Sequence, residues 1–212
     1  MNSVNHLQKL LARRPELASA APALEELIND TAELFRRGGT FFVAGNGGSA
    51  ADSDHICGEL LKGFLSKRAL PEAERKKFRE LFGAEGEEIS GKLQCGLRAV
   101  SLLSHPALLS AFANDVDADL VYAQQLWAMA KAGDVFLGIS TGGGAKNIRA
   151  ALMAAKARGV KTFLLTGNRH GGCEKFSDVV IAVDESETYL VQEQHIAIYH
   201  CFCAAVESEL FG

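Results

Sequence analysis

Apolar residues follow two rhythms along this chain. Short runs at 40–44, 97–102, 134–139, 161–166 and 178–183 are apolar at nearly every position. Longer stretches between them repeat apolar residues every three or four positions. The short runs predict strands buried on both faces, as a parallel sheet covered by helices requires. The longer stretches predict helices at 5–14, 22–37, 49–64, 106–113, 117–131, 144–157 and 187–210, with Pro22 near the start of the second and Gly38-Gly39 at its end. Alternating strand and helix units imply right-handed crossovers, and so a doubly wound α/β domain spanning 1–212 with N-terminal helices over 1–37. Leu7, Leu10, Leu11, Leu24, Leu27, Ile28 and Leu34 make those first helices more apolar than a lone cap needs. They are expected to pack against a symmetry mate.

One segment breaks the alternation. Residues 62–92 are dense in charge, and Pro71 followed by Phe78, Leu81 and Phe82 on one side predicts a short amphipathic helix in an insertion. A solvated surface excursion is the favoured reading; a lid or subunit contact is the alternative. With 48% hydrophobic residues in 212, the chain can bury a full core. A net charge of -4 disfavours nucleic acid as a partner. No stretch is long and apolar enough for a membrane span, and with His6 and Lys9 interrupting its apolar residues the N-terminus is expected to lack the apolar core of a signal peptide. Five cysteines without a C-x-x-C pair fit reduced, mostly buried thiols and a cytoplasmic setting.

Candidate chemistry sits where strands give way to helices. Gly45-Asn46-Gly47-Gly48-Ser49 follows the first buried run and opens a helix, where free amide N–H groups and the helix dipole favour an anion. Ser140-Thr141-Gly142-Gly143-Gly144 repeats that arrangement after the third run, with Lys146 close behind. Neither loop has P-loop or G-x-G-x-x-G spacing, which disfavours a nucleotide. Past the first loop, His55 and Glu59 are four apart and share a helix face; Gln192 and His200, eight apart, share another. Each feature alone would more often be an ordinary turn or a surface pair. Together they point to an enzyme acting on a phosphorylated small molecule.

These motifs, with Thr166-Gly167 and Val191-Gln192-Glu193-x-His195, resemble the phosphoheptose isomerases of the sugar isomerase (SIS) superfamily over almost the whole chain except 62–92. The resemblance implies a flavodoxin-like parallel five-stranded sheet and a homotetramer with sites at subunit interfaces. It also implies conversion of sedoheptulose 7-phosphate to D-glycero-D-manno-heptose 7-phosphate. Residue by residue it implies Glu59 as base and His200 as acid. It further implies a zinc ion held by His55, Glu59, Gln192 and His200, and substrate contacts at Asn46, Ser49, Asp115, Ser140 and Thr141, with Gly47, Gly48, Gly142, Gly143, Lys146 and Gln192 around the phosphate.

That chemistry is coherent. Ketose–aldose interconversion moves one proton between adjacent carbons through an enediol, which a carboxylate and an imidazole can serve, and His/Glu/Gln donors suit zinc. Gly142 and Ala145 stand where the family places serines, and Tyr189 where it places an aspartate. Lys146 can offset the two missing hydroxyls with a charge-assisted contact. Two alternatives therefore stand beside the heptose reading: a non-catalytic SIS module that senses a sugar phosphate or docks a protein, and a SIS enzyme for a different (amino)sugar phosphate.

Overall fold

The computed structural model describes residues 3–212. Helices α1 (Ser3–Arg13) and α2 (Ala21–Arg36), joined by a 3-10 turn at Pro15–Ala20, precede strand β1 (Phe41–Ala44). There follow α3 (Gly48–Leu61), α4 (Glu72–Lys92), β2 (Ala99–Ser101), α5 (Pro106–Phe112) and α6 (Val121–Met129). The chain closes with β3 (Val135–Ile139), α7 (Lys146–Ala157), β4 (Lys161–Thr166), β5 (Val179–Ala182) and α8 (Thr188–Phe211). The strands are all parallel, in the order β2-β1-β3-β4-β5, which is the doubly wound flavodoxin-like sheet expected. The helix expected over 117–131 starts later. Ala113–Asp117 forms a π turn and Ala118–Leu120 a 3-10 turn, with the Asp117 carboxylate accepting the Asp119 N–H at 2.7 Å.

Strand alternation feeds two cores, one on each face of the sheet. Phe41, Val43, Val135, Leu137, Phe163 and Leu165 point to the face covered by α1, α2, α3 and α8. Phe42, Ala44, Phe136 and Leu164 point to the face covered by α6 and α7. The N-terminal helices belong to the first core: Leu10, Leu24, Leu27, Ile28 and Leu34 are at most 2% exposed, and Leu7 and Leu11 pack against them. The five buried side chains cover this chain's own sheet, while Leu7 and Leu11 stay partly exposed. All five cysteines are free and four are buried; burial raises the thiol pKa of Cys57 to about 12 and of Cys201 to about 11. No helix among the described residues is long and apolar enough to cross a membrane.

The charged segment folds as more than a short helix. Residues Glu72–Lys92 turn back on themselves at Gly83, whose φ of 61° is left-handed. Arg75 and Arg79 thereby both reach Glu87. Leu81 and Phe82 at the turn remain exposed. The segment's first residues depart further from a solvated excursion, because Arg68 is fully buried against Glu207.

His195 faces the first core from α8 and is fully buried. Neither ring nitrogen makes a hydrogen bond of normal geometry. Burial drives its pKa down to about 4, opposed only weakly by the nearby Thr166 backbone. The folded chain thus refuses a proton that the unfolded chain accepts below about pH 6.5. Stability is therefore lost on acidification between pH 6.5 and 4, by on the order of 3 kcal/mol at the lower limit. Urea midpoints measured at pH 7 and 4.5 are expected to differ less in His195→Gln than in the wild type; an equal drop in both would remove His195 from the acid response.

Candidate active site

β1 and β3 lie side by side at the switch point of the sheet, so the loops leaving their carboxyl ends face one another. Between these loops lies a cleft of about 360 Å³, lined by Asn46, Gly47, Gly48, Ser49, Ile139, Ser140, Thr141, Ala145, Thr188 and Gln192. Three helices begin there: α3 at Gly48, α7 at Lys146 and α8 at Thr188. Their positive ends converge on one spot, which suits an anion. Two asparagines join the loops, since Asn46 Nδ2 donates to Asn147 Oδ1 at 2.9 Å and Asn147 Nδ2 donates to Asn46 Oδ1 at 2.8 Å. The Tyr122 hydroxyl donates to the Gly45 carbonyl at 2.9 Å and fixes the first loop from below.

Two of these positions use what glycine alone offers, its freedom in φ at Gly47 and its lack of a side chain at Gly48. At Gly47, which caps α3, φ is 56°. At Gly48 a Cβ would come within 2.4 Å of Gln192 Nε2, so a side chain there would displace the end of Gln192 from the loop. Not every expected contact reaches the cleft. The Ser49 amide donates to the Asn46 carbonyl and the Gly143 amide to the Ser140 carbonyl, each at 3.0 Å, so both close turns. Gly142 and Gly143 shape the second loop without lining the cleft. Lys146 leans toward Asp119 at 3.8 Å, and exposed Asp115 lies in the π turn, where its carboxylate accepts the Asn114 side chain at 2.8 Å.

The titratable cluster lies further along the same two helices. From Ser49, His55 is about 9 Å and Glu59 about 15 Å along α3; from Gln192, His200 is about 12 Å along α8. His55 Nε2 is 3.2 Å from Glu59 Oε1, and His55 Nδ1 is 3.0 Å from the Tyr199 hydroxyl. Lys62 Nζ donates to Glu59 Oε2 at 3.0 Å. A carboxylate only accepts, so Glu59 takes its hydrogen bond from His55 Nε2–H, while the single Tyr199 O–H is shared between His55 Nδ1 and the Asp52 carboxylate. The His200 ring stands edge-on to His55 at 5.1 Å between centroids, with Phe64 against it at 5.8 Å. Burial lowers the His200 pKa, as does His55, while Glu59 raises it. Behind the cluster, burial raises the pKa of Asp52, which Tyr199 and His55 counter. Burial and the Asp52 carboxylate together push the Tyr199 phenol up.

The sequence-predicted residues thus gather into two groups. Asn46, Gly47, Gly48, Ser49, Ser140, Thr141 and Gln192 line the cleft, while His55, Glu59 and His200 form the cluster. Gln192 lies on the first glycine loop rather than with the histidines, and among the described residues no three His, Cys, Asp or Glu side chains are arranged to hold a metal ion. The donors match zinc in kind but not in placement. Sequence reasoning missed Asn147, Thr188, Asp52, Tyr199 and Lys62. Two of these carried a helical-spacing signal, Asp52 three residues before His55 and Lys62 three after Glu59.

Comparison with known proteins places this geometry. Residues 105–204 match the family model described as the SIS domain. The chain is 36% identical over 192 residues to a phosphoheptose isomerase of Pelobacter propionicus, covering 90% of this chain and 87% of that one. It is 33% identical over 207 residues to a phosphoheptose isomerase of Geobacter sp. (strain M21), covering 97% and 92%. The solved structure of a phosphoheptose isomerase from Neisseria gonorrhoeae superposes with a TM-score of 0.67 at 28% identity, over 95% of this chain and 98% of that one.

Proposed function

We propose, since this chain belongs to the phosphoheptose isomerase family, that it converts sedoheptulose 7-phosphate to D-glycero-D-manno-heptose 7-phosphate. Membership makes it an isomerase, and its relatives support a sugar phosphate as substrate. The observation that carries the finer reading is the distance between the two groups. An anion held where three helices begin leaves the reacting carbons 9 to 15 Å away along α3, by the roughly 1.5 Å rise per residue of a helix. That span asks for several carbons between phosphate and carbonyl, which a heptose provides and a triose does not.

In the proposed reaction, Glu59 takes the proton from C1 of the ketose and returns it to C2 through the enediol. His200 passes a proton between the two oxygens, and its lowered pKa keeps it a neutral acceptor at pH 7. His55 and Lys62 hold the Glu59 carboxylate in place. Zinc is proposed as an adjunct on donor chemistry alone: His55, Glu59, Gln192 and His200 are groups zinc accepts, but their side chains would have to rearrange, Gln192 away from Gly48, to hold it. When bound, such an ion polarises the carbonyl. A homotetramer with sites at subunit interfaces is also proposed. The apolar residues left exposed near α4, Leu65, Leu81 and Phe82, support that assembly, whereas the N-terminal helices do not.

A panel of ketose phosphates from three to seven carbons, with an amino-sugar phosphate included, tests the reading. The seven-carbon substrate is expected to give the highest kcat/KM. The panel is run on chelator-treated protein with and without added zinc, with zinc content measured in wild type and His55→Ala. Preference for a shorter or aminated sugar refutes the heptose assignment, and no zinc uptake by wild type refutes the metal.

A further inference from the structure

The cleft that receives the phosphate is lined by no charged side chain. A phosphate monoester brings close to two negative charges at neutral pH. Helix N-termini and hydroxyls offset part of that charge, but a formal cation offsets more. Arg169 is placed to supply one. A Cβ built on Gly142 would stand 3.9 Å from Arg169 Cδ, so the arginine stem occupies the space beside the position where the family carries a serine. Its other end lies near the start of α8, with Nη2 3.9 Å from Glu187 Oε1, one residue before cleft-lining Thr188. The side chain therefore runs from beside the second loop toward the start of α8, next to the cleft rather than in its lining.

The backbone under Arg169 is fixed to the phosphate loop on both sides. The Gly167 amide donates to the Thr141 carbonyl and the Cys173 amide to the Gly143 carbonyl, each at 2.9 Å. Asn168 is held as well, its amide on the Glu185 carbonyl and its side chain on Asp184, each at 3.0 Å. A Cβ on Gly171 would come within 2.3 Å of the Gly144 nitrogen, so the two loops touch backbone to backbone. His170 adopts a left-handed φ of 50° to make that turn. The ion pair with Glu187 does not lock the guanidinium, since at 3.9 Å and with the arginine side chain 51% exposed it is a weak surface contact.

We propose that Arg169 is the cation that recognises the substrate's phosphate, taking over at the rim what the hydroxyl missing at Gly142 does elsewhere in the family. The proposal rests on the sugar-phosphate reading above and adds the residue that selects for a dianionic monoester. Its planar fork can meet two phosphate oxygens at once, which lysine cannot do.

The test uses full-length wild type, Arg169→Ala, Arg169→Lys and the charge control Lys92→Ala on exposed α4. Binding of inorganic phosphate is measured by calorimetry at two salt concentrations, and kcat and KM on the best substrate of the panel. Arg169→Ala is expected to weaken phosphate binding and raise KM by about 10- to 100-fold, the usual range for a hydrogen bond to a charged group. kcat is expected to change by less than about threefold, because only ground-state and transition-state binding fall together. Arg169→Lys should recover part of the loss, and Lys92→Ala none of it should show. Phosphate affinity unchanged in Arg169→Ala, or no phosphate binding by wild type, overturns the proposal while leaving the isomerase reading intact. Conversely, a wild type that turns over nothing in the panel yet loses phosphate affinity with Arg169 overturns the heptose reading and keeps this one.

Discussion

Glu59→Gln is expected to lower kcat on the best sugar phosphate by roughly two to four decades, the range general acid–base catalysis supplies, with KM changed little. The amide keeps the shape of the carboxylate between His55 and Lys62, so the cleft 15 Å away, by the helix rise of about 1.5 Å per residue, is left untouched. A loss confined to kcat identifies an interaction made in the transition state rather than in the bound ground state. His200→Gln is expected to behave alike, and the double variant to lose less than the sum, because both groups act on one enediol. The pH profile separates the two roles. Burial and His55 hold the His200 pKa below its ordinary 6.5, so activity that needs a neutral His200 should persist below pH 6.5 and fail only as that lowered pKa is crossed. Turnover by Glu59→Gln near that of wild type, on every sugar in the panel, would mean that Glu59 only fills a polar pocket beside His55 and Lys62.

The sheet was legible because its central strands are buried on both faces and so read as unbroken apolar runs, as in Phe41–Ala44 and Val135–Ile139. The two glycine loops at the cleft were legible for the same reason, since a glycine cluster directly after such a run has one place to go in a parallel sheet. His55 with Glu59 could be read from helical spacing alone. What spacing cannot show is which way a long side chain turns. Gln192 and His200 share a face of α8, yet Gln192 lies on Gly48 while His200 stands edge-on to His55 and beside Phe64. Likewise the apolar N-terminal helices carry no mark that distinguishes a neighbouring subunit from the chain's own sheet. Asn147 was missed because its partner, Asn46, is 101 positions away.

The same blindness hid the element with the largest expected effect on stability. Arg68 stands in a charged run and reads as solvated, but its side chain is fully buried, on a backbone with a left-handed φ of 41°. Nε donates to Glu207 Oε1 at 2.6 Å and Nη1 to the Leu60 carbonyl at 2.8 Å. Glu207 in turn accepts the amides of Phe64 at 2.8 Å, Leu65 at 2.6 Å and Ser66 at 3.1 Å. Burial works to raise the Glu207 pKa, yet the Phe64 and Leu65 amides and the Arg68 guanidinium outweigh it and hold it below the ordinary carboxylate range. Removing one partner leaves the other charge buried alone, so Glu207→Ala is expected to cost about 3–5 kcal/mol in urea denaturation, a large part of a typical domain's stability. Glu207→Gln, which keeps an acceptor for the loop amides, should cost less and stay folded. Because those amides fix Phe64 against His200, Glu207→Gln should also reduce kcat while phosphate binding, at the far end of α8, is retained. Arg68→Met combined with Glu207→Gln is expected to lose less than the two single losses added, since neither charge is then stranded. Additive losses, or a single-variant cost below about 1 kcal/mol, the usual worth of a surface pair, would show that the pair is solvated and does not organise the loop.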